Sequence, residues 1–210
     1  ADNTIRFGLA AIKGVGERAV CSIVEGRKSS PFVSLLDFCE RVDLRLVNKS
    51  VVESLVKAGA FDSLGLERSS CFEGISRGLD IGARTQADSI SGQGNLFELL
   101  SSDTDAHVQR PADEGLPAVP EWPEKDRLVR EKSVLGMYVS GHPLSSHEKW
   151  IRQFATSDSR GLSELGDGKD VVLGGLLQMV QIRTGKESGR KWARIILEDL
   201  LGSVEARMFS

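Results

Sequence analysis

Apolar residues recur at helical spacing through the first third of the chain. They return every three or four positions over residues 20–24 and 35–42, and a further run of this kind follows Asn48. An apolar stripe with this period predicts amphipathic helices that pack against one another. Ser34 and Asn48 are favoured N-cap residues, and each stands immediately before one of the runs. We therefore expect several short helices, followed by a weaker helical pattern over residues 67–84.

The last part of the chain follows a different period. Residues 171–184 are rich in strand-forming residues and alternate in their second half, residues 191–198 and 204–209 form two further segments of this kind, and turn residues separate the three. Alternation of this kind predicts β-strands, here three strands of an antiparallel meander. Between the two patterns, residues 125–168 indicate a helical connector. The predicted fold class is therefore α+β, with a partial sheet after the helices.

Composition excludes some classes of protein. The 210 residues are 40% apolar and 27% charged, as in ordinary globular proteins. The longest apolar run, residues 171–177, is far shorter than the roughly 20 residues of a membrane helix, so we expect no membrane association. Cys21, Cys39 and Cys71 are odd in number and lack CxxC spacing, which disfavours disulfides and a zinc site and favours a cytoplasmic protein. Because the chain begins without Met or a signal sequence, we expect an internal piece of a longer protein.

The middle of the chain is acidic. Residues 85–124 carry one basic residue against eight acidic ones, and four prolines occupy their second half. This composition, with little apolar periodicity, predicts a solvated linker. The expected domains are a helical domain over residues 1–84, the linker over 85–124, the connector over 125–168 and the sheet domain over 169–210.

One candidate site is a glycine turn between two predicted helices, Gly14-Val15-Gly16. Its glycines let the backbone approach a phosphodiester oxygen, and the following helix presents the positive end of its dipole. Lys13 and Arg18 flank this turn, and a second turn of similar kind lies at residues 57–60. The pattern predicts a helix-hairpin-helix domain that binds duplex phosphates through Lys13, Gly14, Val15, Gly16, Arg18, Lys57 and Gly59. The alternative is a plain helix corner that requires a glycine.

A second candidate site is the basic hairpin formed by the first two predicted strands. Residues 183–194 hold five basic side chains against one acidic side chain, Glu187, and they include an aromatic residue. Positive charge beside an aromatic ring is typical of surfaces on which single-stranded nucleic acid stacks its bases. The predicted contacts are Arg183, Lys186, Arg190, Lys191, Trp192 and Arg194. The alternative is a solvated hairpin with Trp192 half in the core.

A third candidate lies in the acidic linker, where Gln93 precedes the apolar pair Leu96 and Phe97. A solvated linker has little reason to expose large apolar side chains unless they dock into a pocket of a partner protein. The alternative is that this pair folds back onto its own domain.

Residues with catalytic or metal-binding potential are few. His107 falls in the linker and His142 in a turn, and no group of aspartates has the arrangement of a two-metal site. We therefore predict no catalytic residue and no metal site within this chain.

Longer motifs extend over most of the sequence. They are Ile5-Arg6-Phe7-Gly8-Leu9, Ala11-Ile12-Lys13-Gly14-Val15-Gly16, Leu55-Val56-Lys57-Ala58-Gly59-Ala60-Phe61-Asp62, Leu135-Gly136-Met137-Tyr138 and Ser140-Gly141-His142-Pro143-Leu144. Together they closely resemble one family, the alpha subunits of bacterial replicative DNA polymerase III, which are C-family polymerases. The resemblance is weakest over residues 63–118.

The resemblance implies a piece that starts at the end of the fingers region, crosses a tandem helix-hairpin-helix domain and stops inside a truncated OB-fold. It implies template-directed DNA synthesis by the whole protein, with the catalytic residues and their expected Mg²⁺ outside this piece and no cofactor within it. The implied partners are duplex DNA, single-stranded template DNA, the sliding clamp and other replicase holoenzyme subunits. Gln93, Leu96 and Phe97 match the family's internal clamp motif, whereas Arg194 stands where an apolar or aromatic strand residue is expected.

Two alternative functions remain open at the level of sequence. One is an error-prone paralogue of the same family, and the other is a non-enzymatic DNA-repair adaptor with helix-hairpin-helix and OB modules. The clamp motif and the turn at residues 140–144 favour the replicative type.

Overall fold

The computed structural model describes residues 7–90, 115–184 and 189–209. The chain folds into two units, with the boundary between Val139 and Ser140. The first unit is helical, and the second combines short helices with a sheet. No helix in the described ranges is both long and apolar enough to cross a bilayer.

The described residues of the first unit, 7–90 and 115–139, include five α-helices, two of which begin at the predicted caps. Ser34 accepts a hydrogen bond from the Asp37 amide at 3.0 Å, and Asn48 accepts one from the Val51 amide at 3.1 Å. The same residues also form 3₁₀ turns at Leu9–Ala11 and Asp62–Leu64. The helices are α1 (Glu17–Gly26), α2 (Leu35–Arg41), α3 (Lys49–Lys57), α4 (Arg68–Ile90) and α5 (Glu124–Leu135).

The core of this unit lies where the first four helices converge. Phe38 of α2 packs edge-on against Phe32 and Phe61, with ring centroids 5.0 and 5.1 Å apart. Val15, from the first glycine turn, and Val134, from α5, are buried in the same apolar cluster. The helical hairpins and α5 therefore share one core.

Two parts of this unit differ from the prediction. Helix α4 continues to Ile90, six residues beyond the predicted end at Arg84. The Gln86 amide donates to the carbonyls of Cys39, Glu40 and Val42 at 2.8 to 3.1 Å, so a polar residue anchors this end of α4. Apolar periodicity does not detect such an anchor.

The second difference concerns the segment after the acidic linker. Leu116 and Trp122 pack against the helical core, and α5 belongs to the first unit. The expected connector over residues 125–168 is thus divided between the two units. Trp122 lies 5.5 Å from Phe72 of α4 between ring centroids, so the segment returns to the helices that precede the linker.

The second unit contains α6 (Glu148–Phe154), two 3₁₀ turns at Ser145–His147 and Gly161–Glu164, and a sheet. Its strands β1 (Leu176–Thr184), β2 (Lys191–Glu198) and β3 (Ser203–Phe209) are antiparallel in the order β1-β2-β3. Cross-strand partners place apolar residues, such as Val180, Ile195 and Ala206, along most of one face, with the pair Thr184 and Lys191 at its end. The α+β prediction is confirmed, and the open three-stranded sheet is consistent with a partial OB-fold.

Candidate nucleic-acid interface

The first glycine turn joins the Leu9–Ala11 turn to α1. Gly14 has φ +87°, a left-handed conformation that side chains disfavour, and an added Cβ would lie 3.2 Å from Ser54 Oγ. Val15 is buried, and its amide donates to the Ile12 carbonyl at 3.0 Å. The turn is therefore fixed from inside, while Gly14 and Gly16 remain exposed on the outside.

The outer side of this turn leads directly into the start of α1. Gly16 is the N-cap and has no side chain to occupy the first amides of the helix, which have no intrahelical acceptor. Nothing lies within 4 Å of a Cβ added at Gly16. Amide donors, the helix dipole and exposed Lys13 together form a surface to which a phosphate can bind.

Arg18 is exposed in the first turn of α1 and lines a groove of about 840 Å³ beside α2, together with Asp43. Hydrogen bonds from Arg45 chiefly lower the pKa of Asp43, and the charge of Arg18 contributes to this shift. Arg18 therefore lies in the helical turn that follows Gly16, and its positive charge stabilises the Asp43 carboxylate in this groove.

The inner side of the first turn is tied to α5. The Lys13 amide donates to the Val134 carbonyl at 2.8 Å. This carbonyl belongs to the last turn of α5, where carbonyls lack intrahelical donors. Two segments separated by the whole linker thus meet at the first glycine turn.

In the second glycine turn, residues 57–60, the backbone amides of Gly59 and Ala60 are hydrogen-bonded within the protein. Gly59 has φ +79°, and its amide donates to the Val56 carbonyl while the Ala60 amide donates to the Leu55 carbonyl, each at 3.0 Å. These bonds make it a helix C-cap of the Schellman type. The Lys57 ammonium lies 3.8 Å from Glu53 and 5.2 Å from the Phe72 ring centroid. Phosphate contact by Lys57 and Gly59 stays a prediction, and their observed contacts are structural.

Beneath this second turn lies a buried arginine. Arg68 donates through Nη2 and Nε to Asp62 at 2.6 and 2.9 Å, and through Nη1 to the Lys57 carbonyl at 3.2 Å. Arg68 Nη1 also donates to Glu131 of α5 at 3.1 Å, and the side chains of Arg68 and Glu131 are each over 90% buried. Burial favours the neutral guanidine, but the hydrogen bonds and charges of Asp62 and Glu131 outweigh it and raise the Arg68 pKa.

The polar face of the sheet brings together several basic and aromatic side chains. Trp192 pairs with Arg183 on β1 and with Phe209 on β3, so all three share this face. The guanidinium carbons of Arg183 and Arg207 lie 5.8 and 5.7 Å from the Trp192 ring centroid. Arg194 is on the same face and pairs with Glu205 at 2.6 Å. Positive charge therefore surrounds one half-exposed indole.

The other predicted residues of the hairpin are placed differently. Arg190 precedes β2 and Lys191 opens it, and both are exposed, whereas Lys186 lies outside the described residues. Arg207 and Phe209 share this face but are not among the residues predicted from the sequence. Their alternation with Met208 in a third strand was the available signal, because alternate residues of a strand share a face.

The remaining predictions concern the linker and metals. Gln93, Leu96 and Phe97 lie outside the described residues. Within residues 7–90, 115–184 and 189–209, no group of three His, Cys, Asp or Glu side chains could hold a metal ion. Burial raises the thiol pKa of Cys39 to about 12 and that of Cys71 to about 11, so these side chains act as apolar core residues.

The helices and the first turn form a helix-hairpin-helix arrangement, joined in the same chain to an antiparallel sheet. The helix-hairpin-helix family model accordingly matches residues 1–71.

Curated relatives match far more of the chain. DNA polymerase III subunit alpha of Vibrio cholerae is 32% identical over 210 residues, which is all of this chain and 18% of the relative. The protein of the same name from Neisseria meningitidis serogroup A is 38% identical over 97% of the chain and 17% of the relative. That of Pseudomonas aeruginosa is 34% identical, over the whole chain and 19% of the relative. The chain is thus similar to DNA polymerase III alpha subunits along nearly all of its length and spans less than a fifth of these relatives, which confirms the resemblance.

Proposed function

We propose that this chain is the DNA-holding part of a replicative DNA polymerase that performs template-directed synthesis in the bacterial cytoplasm. The observation that carries the proposal is the exposed Gly14-Val15-Gly16 turn at the start of α1, in a chain that matches polymerase subunits along its length. That match favours a polymerase over a repair adaptor. The chemistry, with its expected Mg²⁺, belongs to a polymerase domain outside these residues.

In this proposal the first turn grips the duplex without reading its sequence. A phosphate oxygen accepts hydrogen bonds from the free amides that follow Gly16, and Lys13 supplies positive charge. Contacts to phosphates carry no sequence information, as a replicative enzyme requires. Because each contact releases counterions, affinity falls with salt at a slope of about −0.9 per phosphate in logarithmic form.

Gly16→Val tests this proposal. Gly16 has φ −76° and ψ 158°, a conformation that valine favours, and its Cβ position is open, so the variant should fold. The new side chain stands between the amides and the phosphate. We expect duplex affinity to fall about tenfold, the loss of roughly one charge-assisted hydrogen bond, in fluorescence anisotropy with labelled duplex.

Gly8→Val is the matched control. Gly8 is also an exposed N-cap with an extended backbone, φ −74° and ψ 138°, and no atom lies within 4 Å of an added Cβ. It should bind duplex like the unmodified chain. If the two valine variants bound equally well, the first turn would not be the duplex contact.

A second function is supported by the polar face of the sheet. Trp192, flanked by Arg183 and Arg207, offers an indole on which a base can stack and cations that can meet the adjacent phosphates. We propose that this face holds the single-stranded template. The ion pair between Arg194 and Glu205 reduces the charge that Arg194 offers, which accounts physically for a basic residue at this strand position.

The third element of the proposal is the linker peptide at Gln93, Leu96 and Phe97, which we propose binds the sliding clamp. Its support is the sequence motif and its place beside the duplex-gripping unit. Other subunits of the replicase would join the same assembly through the rest of the polymerase.

A further inference from the structure

Helix α5 carries three inward-facing residues at a spacing of three. Leu128 and Glu131 are 1% exposed and Val134 is 8% exposed, so this stripe is the buried side of the helix. Outward residues such as Val129 are exposed. The helix therefore has one fixed orientation on the helical unit.

Glu131 fixes the position of α5 along its axis. One carboxylate oxygen accepts from Arg68 Nη1 at 3.1 Å, and the other accepts from the Val139 amide at 2.5 Å. Apolar packing alone tolerates small shifts along a helix axis, whereas a buried ion pair of this geometry does not, since a displaced carboxylate would leave the Arg68 charge unpaired. Arg68 is itself held by Asp62 and the Lys57 carbonyl.

One helical turn after Glu131, Val134 presents its carbonyl to the Lys13 amide at 2.8 Å. This bond reaches the residue immediately before Gly14. A shift or fraying of α5 would therefore displace the acceptor of the Lys13 amide. Ser54 of α3 also lies near this turn, with its Oγ 3.2 Å from the position of a Cβ added at Gly14.

We propose that α5 positions the Gly14-Val15-Gly16 turn for phosphate binding, with Glu131 and Arg68 as the positioning residues that hold α5 in place. This inference rests on the proposed duplex binding by that turn. It extends the duplex-binding module to a helix beyond the 1–71 segment that the helix-hairpin-helix family model matches.

Glu131→Gln tests the proposal in the 210-residue chain. The amide keeps the shape of the side chain and removes the charge that holds Arg68, while every residue of the first turn is unchanged. We expect duplex affinity at fixed salt to fall about tenfold, as for loss of one charge-assisted contact. Glu73→Gln, at an exposed position of α4, removes the same charge and should not weaken binding.

Amide hydrogen exchange separates positioning from a general loss of stability. If α5 positions the turn, the Lys13 amide loses protection in Glu131→Gln while amides in α1, such as that of Ile23, keep theirs. A merely structural role would raise exchange across the whole helical unit together. The measurement is made well below the unfolding temperature of each variant.

A milder pair of variants covers the case in which Glu131→Gln does not fold. Gly136 ends α5 with φ +78° and has no atom within 4 Å of an added Cβ, so Gly136→Ala strains only the end of this helix. Gly168→Ala introduces the same strain in the second unit, at φ +79° with equal space. We expect Gly136→Ala to weaken duplex binding about fivefold, the lower end of the cost of a left-handed alanine, and Gly168→Ala to leave it unchanged.

The outcomes distinguish this inference from the proposed function. If the unmodified chain did not bind duplex, the proposed function would fail and this inference with it. If the unmodified chain bound duplex, but Glu131→Gln and Gly136→Ala matched their controls and Lys13 kept its protection, α5 would not be a positioning helix.

Discussion

At the scale of single residues, Asp199 shows how one buried carboxylate organises a turn. It closes the β2–β3 hairpin by accepting hydrogen bonds from the Leu201 and Gly202 amides at 2.8 Å. It also accepts from the amide and hydroxyl of Ser159 at 2.6 and 2.8 Å, so it joins the hairpin to the preceding loop. Burial alone would raise the pKa of Asp199, but these four hydrogen bonds outweigh it and lower the pKa.

The lowered pKa predicts a pH dependence of stability. Because the folded pKa lies below the unfolded value of about 3.9, the stabilisation is complete above that value and is lost as pH falls through the folded pKa. Asp199→Asn should lower the free energy of unfolding of the second unit by about 1–3 kcal/mol at neutral pH, and by less in acid. Urea titration followed by tryptophan fluorescence, in a Trp122→Phe background that leaves only the two tryptophans of the second unit, measures both. Exposed Asp170→Asn is the control, and a constant difference between the variants at all pH values would contradict the assignment.

At the scale of elements, local signals were sufficient for some segments. The caps Ser34 and Asn48 are read from neighbouring residues, and the alternation of β2 and β3 is read from pairs two apart. The last turn of α4 escaped prediction because Gln86 anchors it to carbonyls more than forty residues away in sequence. The polar face of the sheet was predicted only in part. Its β1 and β2 residues are close in sequence and belong to one hairpin, whereas Arg207 and Phe209 join the face through the pairing of β3 with β2.

This sheet face carries the prediction for single-stranded DNA. Trp192→Leu keeps an apolar residue at the position but removes the stacking surface, so the affinity for a labelled oligo-thymidine should fall by about 1–3 kcal/mol for each stacked base. Fluorescence anisotropy at low and high salt measures the loss. Trp150→Leu is the matched control, because Trp150 is an exposed indole in the same unit but lies on α6. Equal affinity of the two variants would show that the Trp192 face does not bind single strands.

At the scale of the whole molecule, contacts between residues far apart in sequence determine features of the fold that local sequence patterns do not predict. The described residues up to Ile90 and those from Leu116 onward, including Trp122 and α5, belong to the same helical unit. The bond between Arg68 and Glu131 spans 63 residues, and neither residue has a local feature that distinguishes it from a surface charge. The predicted linker therefore begins and ends on one folded unit.

The last prediction concerns this peptide and the sliding clamp. A polymerase held only by phosphates dissociates readily, because counterions replace each contact. Tethering to a ring around the same duplex makes rebinding intramolecular, at an effective concentration of about millimolar for a short tether. Leu96 and Phe97 would each contribute roughly 1.5–3 kcal/mol of apolar burial before ordering costs, and Gln93 would orient the peptide.

Replacing both Leu96 and Phe97 by Ala should remove most of the affinity for purified clamp in calorimetric titration and leave duplex binding unaltered. Replacing Leu99 and Leu100, the next apolar pair of the linker, should have little effect, and equal clamp binding by the two double variants would show that Gln93, Leu96 and Phe97 are not the clamp-binding peptide.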